Sequence, residues 1–473
     1  MRIPRVMITA PASGGGKTTV TCGLLQALKE RGKEVVSFKC GPDYIDPMFH
    51  SRVIGMKSRN LDTYFTDEGT TRYLLQKNAQ GADLAVIEGV MGYYDGLGGT
   101  TDRGSAWEVA GVTRTPAILL VNMKGMSLSA GALIRGFMGF RKDHRIGGVI
   151  LNRLSPMLYP RLKEVLEKEL GVPVLGYVPE LKDFRLESRH LGLVLPDEIE
   201  DLKGKLHELA EILEKSIDID ALIKLAEQAE EMEPEPDPLE DKPGCTAADG
   251  RDTSEGADAG KEPVTIAVSR DEAFCFLYED NLDLLRRCGA RLVFFSPLHD
   301  KKLPDCDGLL LCGGYPELFA KGLSLNGTMR RSVKEALEAK LPCMAECGGF
   351  MYLMEEMEDM DGQSWPMAGA LTGKAFRTQR LGRFGYISLT PGNENNLGGR
   401  AGQIRGHEFH YFDTTDNGDT FTAEKPVGKR SWACIRGSET LMAGFPHLYY
   451  YSNPGVPAAF VQACRERRGS SGI

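Results

Sequence analysis

The sequence predicts an α/β protein, with an N-terminal doubly wound parallel sheet around a phosphate loop and a second α/β domain after it. Three observations predict this class. Short apolar runs alternate with helical periodicity in both halves of the chain. A glycine-rich turn ending in Lys-Thr joins the first apolar run to the first helix. An acidic stretch separates the two halves, and 473 residues are too many for one core.

The first half alternates strands and helices in the order expected of parallel crossover units. Its predicted strands are Val6–Ile8, Val35–Phe38, Leu84–Ile87, Ile118–Val121, Val149–Leu151 and Val174–Val178. Its predicted helices lie near Thr70–Gln80, Ser127–Phe140, Arg161–Leu170 and Leu202–Gln228. Ligands of such sheets gather at the carboxyl ends of the strands, so polar residues directly after a strand are candidate site residues.

The turn after the first strand, A-P-A-S-G-G-G-K-T-T at residues 10–19, is typical of a nucleoside-triphosphate phosphate loop. Its glycines let consecutive backbone N–H groups surround an anion at the positive end of the following helix. Lys17 is expected to reach the terminal phosphates, and the Thr18 hydroxyl to hold Mg²⁺. Pro11 stands where the strict pattern has its first glycine, and the alternative is an ordinary strand-to-helix turn. The predicted nucleotide contacts of the loop are Gly14, Gly16, Lys17, Thr18 and Thr19.

Polar residues also follow the other strands of this half. Lys39 follows the second strand and Asn152 the fifth, and both are predicted to contact the nucleotide. Two acidic loops, residues 39–47 and 88–96, come after the second and third strands. Carboxylates at strand ends beside a phosphate loop, such as Glu88, are suitable Mg²⁺ ligands. The alternative is that these residues cap helices and form turns, as Asp and Gly often do.

The composition of the chain is ordinary for a globular protein, with 42% hydrophobic and 26% charged residues. A net charge of −9 argues against nucleic acid or an anionic membrane surface as a partner. No apolar run approaches the length of a transmembrane helix and no signal-peptide core precedes the phosphate loop, so a cytoplasmic protein is expected. The eleven cysteines form no C-x-x-C pair and are expected to be reduced thiols.

Residues 231–262 are rich in acids, Pro, Gly, Ser and Thr and contain few apolar residues. A segment of this composition cannot bury enough surface to offset its ordering entropy. We therefore predict a flexible acidic linker there, between one domain at residues 1–230 and another at residues 263–473. Cys245 within it is interpreted as incidental.

Apolar runs and helical stretches also alternate in the second half of the chain, and this pattern predicts another α/β domain. Its predicted strands are Thr265–Val268, Leu292–Phe295, Leu309–Leu311 and Cys343–Ala345, before a hairpin-rich region from Leu371 to Phe412. Its predicted helices are Asn281–Arg287, Thr328–Glu338, Phe350–Met357 and Pro457–Arg467.

The run M-A-E-C-G-G at residues 344–349 places Cys347 on a tight turn between a buried strand and a helix. The N–H groups of that helix are expected to lower the thiol pKa and favour a nucleophilic thiolate. The N–H of Gly348 is a predicted oxyanion donor, and Gly314, in a glycine turn after another strand, is the second. The alternative is a buried, inert cysteine between turn glycines.

A nucleophilic thiolate needs a base, and three histidines follow Cys347 in the chain: His407, His410 and His447. His447 comes after A-G-F-P, a predicted strand end, where a base would face the turn that carries the cysteine. Spacing alone also allows His407, in the run G-H-E-F-H-Y.

Five motifs together resemble those of the cobyrinate a,c-diamide synthases, glutamine-dependent amidotransferases of cobalamin biosynthesis. They are S-G-x-G-K-T-T, K-x-G-P-D-Y-I-D-P, E-G-V-M-G-x-x-D-G, A-E-C-G-G and G-H-E-F-H-Y, in the family's order. The resemblance covers nearly the whole chain apart from the acidic segment. It implies that the first half is an ATP-dependent synthetase of the dethiobiotin synthetase type. It implies a class I glutamine amidotransferase domain for the second half.

The resemblance also implies roles for single residues. Cys347 would be the nucleophile and His447 its base, and Glu88 would hold the metal. The residues expected at the substrate are Asp43, Tyr44 and Asp95. The sequence departs from the family pattern at several positions, among them Ala10, Asn122, Cys312 and Tyr451.

The function implied is ATP-dependent amidation of the a- and c-side-chain carboxylates of cobyrinate or hydrogenobyrinate through an acyl phosphate. Glutamine or ammonia would supply the nitrogen, with Mg²⁺ as cofactor and ATP as cosubstrate, in a monomer or homodimer. The same-class alternative is amidation of another tetrapyrrole, such as sirohydrochlorin, its nickel form or sirohaem. A regulatory phosphate-loop ATPase with a decayed amidotransferase domain is the different-class alternative, and the intact Cys347 and His447 speak against it.

Overall fold

The computed structural model describes residues 1–181, 188–189, 192–193, 202–240, 245 and 262–470. The chain forms two compact units that divide between Pro236 and Asp237. This division falls inside the predicted linker, most of which lies outside the described residues. The boundaries at residues 230 and 263 therefore stay a prediction. Within the described residues, no helix is both long and apolar enough to cross a membrane.

The first unit contains a seven-stranded sheet in which all strands are parallel, which confirms the predicted fold class. Its strands are β1 (Arg5–Thr9), β2 (Val35–Cys40), β3 (Ser58–Leu61), β4 (Leu84–Glu88), β5 (Ala117–Asn122), β6 (Ile146–Asn152) and β7 (Val174–Val178), followed by the short pair β8 (Ser188–Arg189) and β9 (Gly192–Leu193). Its helices are α1 (Lys17–Glu30), α2 (Ile45–Phe49), α3 (Glu68–Asn78), α4 (Ala106–Val112), α5 (Ser129–Phe140), α6 (Tyr159–Leu170), α7 (Leu202–Ser216) and α8 (Ile219–Glu227).

The order across this sheet is β3-β2-β4-β1-β5-β6-β7, so the connection after β1 runs toward one edge of the sheet and the connection after its neighbour β4 runs toward the other. The loop after the central strand β1 lies at this switch point, where ligands of doubly wound sheets bind. All five residues of β1 are buried, which explains its continuous apolar run. The edge strand β3 was not predicted because its sequence, S-R-N-L, has no apolar run.

The first residues of the predicted linker pack against the first unit. Arg114 Nη1 donates to the Glu231 carbonyl at 3.0 Å, and the N-terminal amine donates to that of Met232, which is buried. Gln76 Nε2 donates to the Glu233 carbonyl at 2.7 Å. These hydrogen bonds hold backbone that the composition alone predicted to be solvated.

The second unit is built on a six-stranded sheet with several smaller antiparallel sheets. Its strands are β10 (Val264–Ser269), β11 (Phe274–Phe276), β12 (Ala290–Phe295), β13 (Gly308–Leu311), β14 (Gly313–Gly314), β15 (Cys343–Glu346), β16 (Glu356–Glu358), β17 (Ser364–Pro366), β18 (Lys374–Arg377), β19 (Arg383–Pro391), β20 (Ile404–His410), β21 (Phe412–Thr414), β22 (Phe421–Glu424), β23 (Ser431–Cys434), β24 (Arg436–Gly437), β25 (Leu441–Gly444) and β26 (His447–Leu448). Its helices are α9 (Glu279–Arg287), α10 (Ala320–Leu325), α11 (Gly327–Glu338), α12 (Gly348–Leu353) and α13 (Gly455–Ser470).

The main sheet has the order β12-β10-β13-β15-β25-β24, with parallel pairing except at the β24 edge. The helix predicted over Phe350–Met357 ends at Leu353, and Glu356–Glu358 form β16 instead. Most of the chain between β16 and β24 folds into two antiparallel-rich sheets, in agreement with the predicted hairpin-rich region.

The expectation that every cysteine is a reduced thiol is wrong for one pair. Cys245 forms a disulfide bond with Cys288, which ends α9. The other nine cysteines are free thiols. The two partners are 43 residues apart, and their pairing depends on tertiary structure rather than on a local spacing motif.

We expect Gly23→Val to lower the free energy of unfolding by about 1–3 kcal/mol, because α1 packs on α7 at this glycine. A Cβ on Gly23 would lie 2.6 Å from Leu213 Cδ1 and 2.7 Å from Leu209 Cγ, and both leucines are fully buried. The matched control is Gly136→Val in α5, where a Cβ meets nothing within 4 Å. Urea unfolding measures both variants, and an equal loss in the two would contradict the packing argument.

Candidate functional site

The loop between β1 and α1 has the backbone geometry of a phosphate loop. Gly14 has φ 71° and Gly16 has φ 94°, a left-handed conformation that favours glycine. A Cβ on Gly16 would collide with the side-chain amide of Asn152, whose Nδ2 donates to the Gly15 carbonyl at 2.8 Å. Asn152 therefore holds the loop in shape. Thr19, on the first turn of α1, is half-buried.

Lys17 extends from the start of α1 across the phosphate loop. Its Nζ donates to the carbonyls of Met91 at 2.5 Å and Ala12 at 3.2 Å. Burial and the nearby charge of Lys39 lower the pKa of Lys17 to about 8. The negative charge of Asp95 opposes this lowering of the Lys17 pKa. Asp95 is held in its loop by the Gly92 N–H, which donates to Oδ2 at 2.9 Å. The amine thus links the phosphate loop to the loop after β4.

A buried cluster of charges lies beside the first turn of α1. Lys39 Nζ contacts Asp46 Oδ2 at 2.5 Å and Glu88 Oε1 at 2.7 Å. The Thr18 hydroxyl donates to Glu88 Oε1 at 2.7 Å and lies 3.3 Å from Asp46 Oδ2. The structure therefore brings together three predicted site residues and adds Asp46. The signal for Asp46 was available, since it is the second aspartate of K-x-G-P-D-Y-I-D-P.

The cluster holds one lysine cation against two buried carboxylates. Burial alone would lower the pKa of Lys39, but Asp46 and Glu88 raise it well above its ordinary value. Burial opposes ionisation of Asp46, yet Lys39 holds the pKa of that carboxyl below its usual range. Burial raises the pKa of Glu88 to about 7, although Lys39 opposes the shift. Two carboxylates face one ammonium group, so the cluster can accommodate a further cation.

The oxygen groups of Thr18, Asp46 and Glu88 are the hard ligands that Mg²⁺ prefers. Glu88 Oε2 accepts no hydrogen bond from any described residue and lies 3.7 Å from His50 Nε2. Within the described part of the chain, no three acidic, histidine or cysteine side chains gather as a metal cluster. A site of two carboxylates and a hydroxyl fits a Mg²⁺ ion whose other ligands are phosphate and water.

Asp43 and Tyr44 lie directly before α2. Asp43 Oδ1 accepts the N–H groups of Ile45 at 2.9 Å and Asp46 at 3.1 Å, so it caps the first turn of that helix. Burial and the charge of Asp46 raise the pKa of Asp43 to about 6. The side chain of Tyr44 is buried. This capping is the alternative that the sequence left open, and the substrate roles of both residues stay a prediction.

Cys347 occupies a strained turn between β15 and α12. Its φ of 48° and ψ of −103° lie outside the regions that non-glycine residues favour, as at the nucleophile of a strand-to-helix elbow. Its N–H donates to the Gly444 carbonyl at 2.7 Å, which ties the turn to the neighbouring strand β25. The predicted elbow is therefore present.

The expected low pKa of the Cys347 thiol is wrong for this structure. Burial raises the pKa, the Glu317 carboxylate raises it further, and the Gly348 N–H opposes the shift only in part. Cys347 is 6% exposed, and α12 is only six residues long. A short helix and one N–H group do not offset the desolvation of a thiolate.

The two predicted oxyanion glycines lie side by side next to Cys347. A Cβ on Gly348 would lie 3.2 Å from Gly314 N and 2.8 Å from Pro316 Cδ. Cys312, which departs from the family pattern, donates its N–H to Ser269 Oγ at 2.9 Å, a hydrogen bond that proline could not make. This hydrogen bond ties the start of the glycine turn at residues 312–314 to the end of strand β10.

The structure places two of the three candidate histidines together. The rings of His407 and His447 stack with centroids 5.0 Å apart, and the two residues pair in register between β20 and β26. Burial and His447 lower the pKa of His407 well below its ordinary value. The ring of His410 stacks instead on that of Phe445, with centroids 4.0 Å apart. The choice of His447 as the base stays a prediction.

Both halves of the chain match known domains. Residues 6–194 match a CobQ/CobB/MinD/ParA nucleotide binding domain, and residues 265–454 match a CobB/CobQ-like glutamine amidotransferase domain. The chain is similar to the cobyrinate a,c-diamide synthase of Listeria innocua, with 39% identity over 96% of this chain and 97% of the relative. It is 36% identical to that of Picrophilus torridus, over 98% of this chain and 99% of the relative.

The raised pKa of Cys347 predicts a specific pH profile for its alkylation by iodoacetamide in the absence of glutamine. A free cysteine, with a pKa near 8.5, reaches its maximal rate by about pH 10. The rate for Cys347 should still be rising there, because its thiolate forms only at higher pH. Peptide mass spectrometry measures the rate, with glutathione in the same reaction as control. A plateau at or below about pH 10, as for the free cysteine, would contradict the effect of burial.

Proposed function

Since this chain belongs to the cobyrinate a,c-diamide synthase family, as its motifs predicted, we propose that it amidates the a- and c-side-chain carboxylates of cobyrinate or hydrogenobyrinate. ATP activates each carboxylate, and glutamine or ammonia supplies the nitrogen. One observation carries this proposal: a single chain contains the parts of both reactions. The first unit has a phosphate loop beside a buried carboxylate cluster. The second unit has Cys347 on a strand-to-helix turn, and His447 stacks there on His407.

In the proposed glutaminase reaction, the Cys347 thiol gives its proton to His447 and the sulfur attacks the side-chain amide carbon of glutamine. The N–H groups of Gly348 and Gly314 stabilise the oxyanion. His447 returns the proton to the leaving nitrogen, which departs as ammonia and leaves a γ-glutamyl thioester. Water, deprotonated by His447, hydrolyses the thioester to glutamate and restores the thiol.

In the proposed synthetase reaction, a substrate carboxylate oxygen attacks the γ-phosphorus of ATP, so that ADP leaves and an acyl phosphate forms. Lys17 and the loop N–H groups neutralise the charge of the transferring phosphoryl group. Ammonia then attacks the acyl carbon, and phosphate leaves. Thr18 and Glu88, together with Asp46, would hold Mg²⁺, which supplies charge neutralisation for the phosphates.

The remaining assignments are part of the same proposal. Lys39 and Asn152 contact the nucleotide, and Asp43, Tyr44 and Asp95 contact the tetrapyrrole. The protein acts in the cytoplasm, where ATP and glutamine are both available, as a monomer or homodimer.

Turnover with purified tetrapyrroles tests the proposed function. The enzyme is incubated with ATP, Mg²⁺ and glutamine, and with cobyrinate or sirohydrochlorin in separate reactions. We expect cobyrinate to gain two amides, read as a product lighter by about 2 Da. Amidation of sirohydrochlorin alone would support the alternative tetrapyrrole, and ATP hydrolysis without amidation of either would contradict an amidating enzyme.

Cys347→Ser should abolish glutamine-dependent synthesis, by at least about 10³-fold, because serine is not activated by the same base. Synthesis from ammonium salts should remain within about twofold of the wild type, since the synthetase unit is unchanged. Product mass measures both rates. Comparable turnover with glutamine would show that Cys347 is not the nucleophile.

Glu88→Gln should lower ATP-dependent synthesis at low Mg²⁺ by roughly tenfold or more, because a charged oxygen ligand is lost. Raising the Mg²⁺ concentration should restore part of the rate. Asp43→Asn is the comparison, since a substrate contact should lose activity without such a rescue. Rates against Mg²⁺ concentration separate the two, and equal behaviour of both variants would remove Glu88 from the metal site.

A further inference from the structure

We propose that Glu346 is a positioning residue that orients His447 for proton exchange with Cys347. This inference rests on the proposed glutaminase function and adds a third residue to its cysteine and histidine. Glu346 precedes the nucleophile directly in the chain and is the last residue of β15. Sequence reasoning used it only as part of the A-E-C-G-G motif.

The carboxylate of Glu346 contacts both His447 and the residue that follows it, Leu448. Its Oε2 lies 3.8 Å from His447 Nδ1, within the range of an ion pair. Its Oε1 accepts the backbone N–H of Leu448, the residue after His447, at 3.4 Å. Glu346 is 8% exposed and His447 is 1% exposed, so the contacts lie away from bulk water, where they are little screened.

The faces of the imidazole ring are restrained by other residues. His407 stacks on His447 with an angle of 18° between the rings. Gly313 lies against the ring, because a Cβ there would be 3.2 Å from Nδ1 and 3.4 Å from Nε2. These contacts restrict tilting but do not decide which nitrogen carries the proton. A carboxylate 3.8 Å from Nδ1 favours a proton on that nitrogen, which leaves Nε2 to accept the proton of the thiol.

The sheet register explains why this carboxylate can reach the base. Strands β15 and β25 are parallel neighbours, with Glu346 opposite Gly444. Cys347 follows the first strand, and His447 follows the second by three residues. Adjacent strand ends therefore bring the nucleophile, the base and the carboxylate to the same edge of the sheet. A carboxylate there also stabilises the imidazolium that forms when the thiol is deprotonated.

Two substitutions test the proposal. Glu346→Gln keeps an oxygen for the Leu448 N–H but loses the charge, and its amide group can donate to Nδ1 and favour the wrong tautomer. We expect the kcat of glutamine hydrolysis to fall by roughly 10²-fold with the KM for glutamine nearly unchanged. Glu346→Asp keeps the charge and should retain more activity than the glutamine variant. The control is Glu356→Gln, an exposed residue of β16 that should hydrolyse glutamine at the wild-type rate.

Ammonia-dependent synthesis, measured in the same preparations, should be unchanged and reports that the synthetase unit is intact, while an unchanged urea unfolding midpoint reports that each variant is folded. Wild-type kcat in Glu346→Gln would overturn the positioning role. So would equal losses in the glutamine and aspartate variants with a parallel rise in KM, because that pattern indicates a packing role. Retention of glutamine hydrolysis in Cys347→Ser would instead contradict the proposed function itself, so the two failures are distinguishable.

Discussion

The ion pairs of Lys39 with Glu88 and Asp46 are the constraint on which the first unit's site depends. Strands β2 and β4 are neighbours with Lys39 opposite Glu88, so the sheet register itself creates the contact. Glu88 is fully buried and Lys39 nearly so, and each charge would be costly there without the other. The Thr18 hydroxyl, at the start of α1, donates to the same carboxylate, which couples the phosphate loop to the sheet.

The candidate site of the second unit is brought together in the same way. Two adjacent parallel strands, β15 and β25, end at one edge of the sheet, so the residues that follow them lie close together. The ends of β15 and β25 carry Cys347 and the segment leading to His447. Small residues are required where backbone and ring approach closely, and Gly313 lies against the His447 ring for this reason. In both units, a glycine turn at a strand end leaves space for the reacting groups, and neighbouring strands hold the charged side chains.

The failures of sequence reasoning have a common physical origin. The predicted low pKa of Cys347 considered the helix N–H groups but not the desolvation of the thiol or the nearby Glu317. The pairing of Cys245 with Cys288 and the packing of Met232 are contacts between distant parts of the chain. Local composition and spacing carry no information about such contacts. The edge strand β3 was missed because an edge needs no continuous apolar run.

The sequence by itself determined the α/β class, the order of the two halves, the phosphate loop and the cysteine elbow. These depend on local patterns: apolar runs for buried strands, glycines for tight turns and a few residues in fixed order. Only the tertiary structure decided that Asp46 joins Lys39 and Glu88, that His407 stacks on His447, and that Glu346 faces the same ring. The reason is that strand register and burial set these distances and charges, and both emerge only when remote segments pack together.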